Sequence, residues 1–371
     1  MLCVCMCVLG ESGAGKTEAT KKILQFISTI CTSTASRIGP SIENQILDSN
    51  PLLESFGNAK TIRNNNSSRF GKYMEVNFDK KNCIKGCNIT AYLLEKVRVV
   101  KQGPNERNYH VFYMLLAGAT KEMRKDFALK PVDQYNYLNQ SGCFEIDRRS
   151  DLKEFEDLLD AMNSLAIDAP TQHTIFQCLA AVLHLGNLDF KDGDSEGGSR
   201  VSAPSDCRRI SSLLGLSADS LERALCNREN TVSNEILLVP LSPFKAADQR
   251  DSLAKFVYGK LFDFLIHRVN QSLYRGKPKN SIGVLDIFGF EVFQKNSFEQ
   301  LCINYCNERL QTFFNEVIFE GEMKMYSAEG LPVDDISYQD NIGCVRLVDL
   351  RGGGIFAYLG KLLVCMGMDM V

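Results

Sequence analysis

Apolar and polar residues alternate along this chain with periods that change from stretch to stretch, and each period predicts an element. Leu2 to Leu9 is an unbroken apolar run, the pattern of a buried strand. Thr17 to Ile30 follows with Ala19, Ile23, Phe26, Ile27 and Ile30 at helical spacing, which predicts a helix packed through those residues. A second block begins near Asn44, where Asn50 to Phe56 reads as a helix start with Pro51 at the first helical position. Tyr73 to Phe78 alternates and Asn88 to Leu94 is rich in β-branched and aromatic residues, so the polar link Asp79 to Gly86 predicts a hairpin. From Glu95 to about Lys255 the pattern is mainly helical. Asn108 to Ala117 ends at Gly118, and Thr171 to Leu185 places Ile175, Leu179 and Val182 on one face before Gly186. Ala254 to Leu273 is amphipathic, Ser281 to Leu285 is a strand closing on Asp286, and Phe288 to Glu291 is a turn. Ser297 and Gln300 make a capping box. The helix it opens is predicted to run through Leu301, Tyr305, Phe313 and Val317 to Phe319 and to stop at Gly321, a length of about 36 Å at 1.5 Å per residue. Gly360 to Val371 is apolar and methionine-rich with no polar stop, and the chain shows neither internal repeats nor coiled-coil heptads.

Between the first strand and the first helix lie Gly10, Glu11, Ser12, Gly13, Ala14, Gly15, Lys16 and Thr17, a full G-x-x-x-x-G-K-[ST] phosphate loop. Strand, glycine loop and helix is the order the chemistry needs. Glycines let backbone N–H groups curl round an anion, and the helix N-terminus adds partial positive charge. Lys16 is expected to reach the β and γ phosphates of a nucleoside triphosphate and the Thr17 hydroxyl to bind Mg²⁺. Almost nothing precedes the first strand, so its sheet neighbours are expected to come from later in the chain or to be missing.

Composition narrows the class. With 371 residues, 44% of them hydrophobic and 23% charged, the chain can bury a substantial core as one large domain or two to three smaller ones. A net charge of −3 argues against nucleic acid or an anionic membrane as partner. The 14 cysteines are scattered, which fits reduced thiols in the cytoplasm better than a disulfide framework. Cys3, Cys5 and Cys7 share one face of the first strand but have no fourth ligand at zinc-like spacing, so they read as core. That strand is too short to span a bilayer and lacks the basic flank of a signal peptide. His173 and His184 read as packing or capping residues, and Lys191 to Ser199 as an exposed loop without the closing Glu of a calcium site.

A phosphate loop alone specifies only a nucleotide. Hydrolysis also needs groups that orient water, complete the metal shell and sense the γ-phosphate. Ser67, Ser68 and Arg69 offer hydroxyls and a permanent cation. Asp286 at a strand end suits an outer position on the metal, and Gly289 can bring a backbone N–H near the phosphate.

The segments GESGAGKTE at 10–18, NNNSSRFGK at 64–72 and DIFGFE at 286–291 resemble the phosphate loop, switch I and switch II of myosin motor domains, in order and at compatible spacing. HVFYMLLAG at 110–118, LAAVLHLGNLDF at 179–190, DSLAK at 251–255 and QLCINYCNERLQTFFN at 300–315 agree, the last with the relay helix. The resemblance implies an α/β P-loop NTPase-type mixed central sheet with extensive helical insertions, and an actin-based motor driven by Mg-ATP hydrolysis. It implies ATP and Mg²⁺ as cofactors. Thr17 and Ser68 would ligate the metal, with Asp286 behind them. Asn64 and Asn66 would lie at the nucleotide, Ser67 would hold the attacking water, and Gly289 would touch the γ-phosphate. Arg69 and Glu291 would form a salt bridge joining the two switches when both close.

By the same resemblance, 1–95 would carry the phosphate loop, switch I and the sheet hairpin, and 96–255 a mainly helical upper actin-binding subdomain. Residues 256–295 would carry a helix, a strand and switch II, and 296–371 the relay helix and the start of a lower actin-binding subdomain. Glu235 lies sixteen positions before Asp251, where the family has an acidic or phosphorylatable residue in an actin-contacting loop. Phe288 and Val97 stand where many members have Ser or Tyr and Ser. The family's purine-binding segment, converter and light-chain-binding lever have no counterpart here, so light chains or calmodulin would bind only outside this stretch. Weak or no ATPase and no motility are expected of the chain by itself. The alternatives are a non-motor P-loop nucleotide switch and a non-catalytic remnant.

Overall fold

A computed structural model describes residues 3–8, 13–31, 41–193, 197–232, 235–274, 276, 278–294, 296–333 and 337–365. It divides into a unit of residues 1–9 and 13–288 and a unit of 10–12 and 289–371.

In the first unit the opening apolar run forms strand β1 (Cys3–Val8), and helix α1 (Lys16–Ile30) follows the glycine loop. The buried stripe of α1 is Lys16, Thr20, Leu24, Ile27 and Ser28; of the residues expected from sequence, Ile27 is on it and Ile23 packs half-buried against the core, but Ala19, Phe26 and Ile30 are exposed. The helix turns its Thr20–Leu24–Ile27 side to the next helix and the sheet, and threonine at that contact hid the true stripe from a purely apolar count.

Helix α2 (Ile42–Gly57) begins nine residues earlier than the proline suggested, under an N-cap from Ser41 whose hydroxyl accepts the Asn44 N–H at 3.2 Å. Pro51 therefore lies inside the helix. A proline there leaves the carbonyl four residues back without its usual donor. Asn50 repairs this: its Nδ2 donates to the Leu47 carbonyl at 3.3 Å.

Two-residue strands β2 (Asn58–Ala59) and β3 (Ser67–Ser68) pair and bracket the polar loop expected there. The predicted hairpin is β4 (Gly71–Phe78) and β5 (Ile84–Tyr92), with Met74, Val76 and Phe78 buried at period two. A 3₁₀ turn at Lys96–Val99 leads to helices α3 (His110–Gly118), α4 (Lys121–Asp126), α5 (Asp151–Ser164) and α6 (Ala169–Gly186). Ile175, Leu179 and Val182 of α6 are buried as expected. His184 packs as anticipated, its Nε2 2.8 Å from the Phe127 carbonyl, and the His173 ring lies 4.8 Å from that of Phe127. After α6, β6 (Phe190–Asp192) and β7 (Ser199–Val201) pair antiparallel, so the ends of the stretch expected as a loop are strands; its residues 194–196 lie outside the described ones. Then come α7 (Pro204–Leu214), α8 (Ala218–Cys226), the hairpin β8 (Asn227–Val232) and β9 (Glu235–Pro240), and α9 (Pro243–Leu273), which starts well before Ala254. Strand β10 (Asn280–Asp286) closes the unit.

The principal sheet has the order β1-β10-β4-β5. β1 runs parallel to β10, from Cys3 opposite Ser281 to Val8 opposite Asp286, and the other pairs are antiparallel. The first strand thus does find its neighbour late in the chain. Gly283 is required by packing: a Cβ there would collide with the Tyr73 ring from β4. One hydrophobic cluster runs from Leu24 to Val284.

In the second unit helix α10 (Phe298–Phe314) opens on the expected capping box of Ser297 and Gln300. It continues without a break through a π-helical turn, Asn315–Glu320, into α11 (Gly321–Ala328). Gly321 does not stop it, since its φ of −63° and ψ of −48° are helical, whereas Gly330 takes φ 78° beyond the true end. Phe313 and Val317, expected on the packed face, are exposed. Side chains on α12 (Ile342–Asp349) and α13 (Ile355–Cys365) reach Tyr305: its hydroxyl donates to Asp349 at 2.8 Å and its ring meets Phe356 edge-on at 5.2 Å. Asn341 clasps α10, its Nδ2 donating to the Glu308 carbonyl at 2.8 Å while Thr312 donates to its Oδ1 at 2.9 Å. Among the described residues no helix is long and apolar enough to cross a membrane.

Candidate nucleotide site

Because β1 and β10 are parallel and in register, Val8 and Asp286 end at the same level. Ligands of α/β sheets bind beyond such C-terminal strand ends. The chain leaves β1 into the phosphate loop, whose Gly10, Glu11 and Ser12 lie outside the described residues. Gly13 and Gly15 take φ of 85° and 84°, the left-handed backbone a turn needs at a helix entrance. Ala14 is exposed between them, and Lys16 is buried in the first turn of α1.

Thr17, Ser68 and Asp286, 269 positions apart at the extremes, come together here. Thr17 Oγ1 lies 3.3 Å from Ser68 Oγ and donates to Asp286 Oδ1 at 3.4 Å. The pairing of β3 with β2 and the placement of Asp286 on the last residue of β10 set this meeting. Burial pushes the Asp286 carboxyl up from its usual range, against Lys72, the Thr17 hydroxyl and Lys16, which favour the anion. Lys72 is the cross-strand partner of Asp286; its Nζ sits 3.7 Å from Oδ2 and donates to Asn50 Oδ1 at 3.0 Å. Asp286 Oδ2 is buried and makes no hydrogen bond. Two hydroxyls and a carboxylate are hard oxygen donors of the kind Mg²⁺ takes.

The neighbouring residues 64–67 are held by bonds within their own loop and to the scaffold beside it. Asn64 shapes its own loop, accepting the Asn66 N–H on Oδ1 at 2.9 Å. Asn66 is bound into the scaffold, donating to Glu54 Oε2 at 3.2 Å and accepting from Asn58 Nδ2 at 3.1 Å. Ser67 is buried and accepts from Arg69 Nη1 at 3.3 Å.

Arg69 is fully buried, and its Nε and Nη2 donate to Glu95 at 2.8 and 3.2 Å. Sequence reasoning missed Glu95. It stands alone beside Leu93 and Leu94, and only Arg98 three positions on signals that it is paired. Arg98 Nε donates to Glu95 at 2.6 Å and its Nη1 to Glu106 at 3.0 Å. Burial would raise the Glu95 carboxyl, but Arg98 and Arg69 outweigh it and hold it at about 2. Nearby, His110 is buried with Nε2 3.2 Å from Asn66 Oδ1 and 3.0 Å from Arg149 Nη1; burial and three arginines keep it neutral, well below its ordinary pKa.

Gly289 and Glu291 belong to the second unit, where Glu291 is tied to α10. Its N–H donates to Asn304 Oδ1 at 2.8 Å, Asn304 Nδ2 returns a bond to its carbonyl at 2.7 Å, and Gln300 Nε2 reaches Oε2 at 3.5 Å. Glu235 is the first residue of β9.

Comparison with known proteins gives the family. The model described as "Myosin head (motor domain)" matches residues 3–367. The chain is 44% identical over 362 residues to Myosin-1 of Emericella nidulans, covering 96% of this chain and 29% of that protein. It is 45% identical over 358 residues to Myosin-I heavy chain of Dictyostelium discoideum, covering 95% and 15%, and 44% identical over 364 residues to Myosin IA heavy chain of the same organism, covering 96% and 36%. It thus spans between 15% and 36% of the length of these relatives. This chain belongs to the myosin head family, and so to the P-loop NTPase fold.

Proposed function

We propose that this chain is the nucleotide-binding part of a class I myosin motor, hydrolysing Mg-ATP in step with actin binding. The observation that carries this reading is the meeting of Thr17, Ser68 and Asp286 at the C-terminal end of two parallel strands, beside a buried Lys16. In it, residues 10–17 wrap the phosphates with Lys16 on the β and γ groups, and Asn64 and Asn66 border the nucleotide. Thr17 and Ser68 would hold Mg²⁺, with Asp286 behind them. Bound there, the ion would neutralise charge on the phosphate oxygens. Ser67 holds the water that attacks the γ-phosphorus. The bond to the bridging oxygen breaks, leaving ADP and inorganic phosphate, while the Gly289 N–H steadies the γ oxygens. Arg69 and Glu291 pair when the switches close. The bonds from Glu291 to Asn304 and Gln300 give the first turns of α10 a direct mechanical tie to that event.

The sheet of this reading is the family's mixed central sheet, and 96–255 its upper actin-binding subdomain. Glu235 supplies at an actin-contacting loop the negative charge that phosphorylation supplies elsewhere. The protein would work in the cytoplasm on actin filaments. The test is binding of a fluorescent ATP analogue, followed by ATP-driven release of the chain from actin filaments. Analogue binding is expected of the chain with Mg²⁺ present, ATP-driven release is expected with the remainder of the motor domain restored at both ends, and Lys16→Ala is expected to abolish both. Equal nucleotide binding by Lys16→Ala would overturn the site. Nucleotide binding with no actin binding would favour the non-motor switch.

A further inference from the structure

Asp286 is approached from two sides. Its Oδ1 accepts from the Thr17 hydroxyl at 3.4 Å, and its Oδ2 faces the Nζ of Lys72, its cross-strand partner, at 3.7 Å. Lys72 is only 2% exposed, and its ammonium donates to Asn50 Oδ1 at 3.0 Å. Asn50 is buried too, and its amide has one workable orientation. Nδ2 donates at 3.3 Å to the Leu47 carbonyl, the acceptor that Pro51 leaves without its helical donor. A carbonyl only accepts and an ammonium only donates, so the amide oxygen has to face Lys72. Three links therefore run in order. The proline sets the amide, the amide anchors the ammonium, and the ammonium stands behind the carboxylate. A lysine stem is flexible by nature and would not hold a carboxylate in one pose by itself. Here burial and the bond to Asn50 remove that freedom.

We propose that Lys72 is a positioning residue of the metal site: tethered by Asn50, it holds Oδ2 of Asp286 and so keeps Oδ1 on the side of Thr17 and Ser68, where Mg²⁺ would sit. This rests on the reading of Thr17, Ser68 and Asp286 as the metal site, and every group in it belongs to the first unit. Groups that orient a metal's ligands from behind contribute about 10–100-fold to metal affinity. A lysine serving the fold alone would have a different signature: its loss would weaken nucleotide binding alike with and without metal.

The experiment measures the affinity of the full chain for a fluorescent, non-hydrolysable ATP analogue in Mg²⁺ and in EDTA, with Tm as the check of folding, so no turnover is needed. The ratio of the two affinities is the gain due to the metal. Lys72→Met is expected to cut that gain about tenfold and to leave the affinity in EDTA little changed. Asn50→Ala keeps the charge and releases the tether, and a smaller cut of the same kind is expected. Equal losses in Mg²⁺ and in EDTA, or an undiminished gain in Lys72→Met, would overturn the role of Lys72. Thr17→Ala separates that failure from a failure of the metal site itself. It is expected to cut the gain independently of Lys72; a gain that survives Thr17→Ala, or is absent from the unaltered chain, would remove the site on which the role rests. If Lys72→Met does not fold, Lys72→Gln keeps a donor for Asn50 and drops only the charge. The same metal-specific cut is expected there, and an undiminished gain would reject the proposal.

Discussion

The two units hold their polar groups in opposite ways. In the first, charges are buried in a closed network around Arg69, Glu95 and Arg98, inside a continuous apolar cluster. In the second, the long helix shows Phe313, Val317 and Ile318 at 56%, 51% and 44% exposure, and its partners grip it through amide and hydroxyl hydrogen bonds. Buried ion pairs fail abruptly when one member goes, whereas partly buried hydrogen bonds between neutral groups can be lost and remade. The first arrangement suits a site that must hold angstrom-level geometry. The second suits an element whose local backbone can change, as its π-helical turn at Asn315–Glu320 already illustrates.

The sharpest way to break this contrast is Arg69→Met. It leaves Glu95 sharing one arginine and is expected to cost about 3–5 kcal/mol in urea unfolding at unchanged m. A loss under about 1 kcal/mol would mean that the network is not energetically closed. Next, Asn341→Ala removes the clasp on Glu308 and Thr312 and should cost about 1–2 kcal/mol. Hydrogen exchange should quicken near 308–320 with no change in strands β4 and β5; matching changes in both regions would erase the distinction.

The smallest effect is acid sensitivity. Glu95 titrates near 4.5 unfolded and at about 2 folded, so its contribution is whole above pH 4.5 and drains away as pH falls towards 2. The decline should approach about 1.4 kcal/mol per pH unit. Glu95→Gln should flatten this limb of a Tm-against-pH curve, and an unchanged slope would assign the acid limb to other carboxylates.

Local chemistry made much of this readable from sequence. The glycine loop between an apolar run and a helix, the hairpin with its period of two, and Asp286 closing a strand are each encoded within about a dozen residues. What escaped depends on distant partners. Pro51 sits inside α2 because Asn50 serves the carbonyl the proline abandons, and Asn50 in turn holds Lys72 from the sheet. The packed face of α1 includes Thr20, whose burial depends on what lies against it. Gly321 stays helical because the neighbouring turns carry the chain through, and Glu95 became meaningful only once Arg69 and Arg98 were seen to converge on it. Nothing in the immediate neighbourhood of these residues announces the partner.

The parallel pairing of β1 with β10 also sets a timetable. Residues 3–8 leave the ribosome far ahead of their partner at 281–286. At 5–20 residues per second the interval is on the order of 15–60 s. Through that interval the first strand lacks the β10 partner it pairs with in the folded chain. The hairpin of β4 and β5, closed by a short local turn, can form early and wait as a template. Nucleotide can then meet an assembled pocket only after Asp286 has been made. The phosphate loop, synthesised well before Asp286, becomes competent only once that residue has arrived, and the apolar run before it is a natural client for chaperones in the meantime.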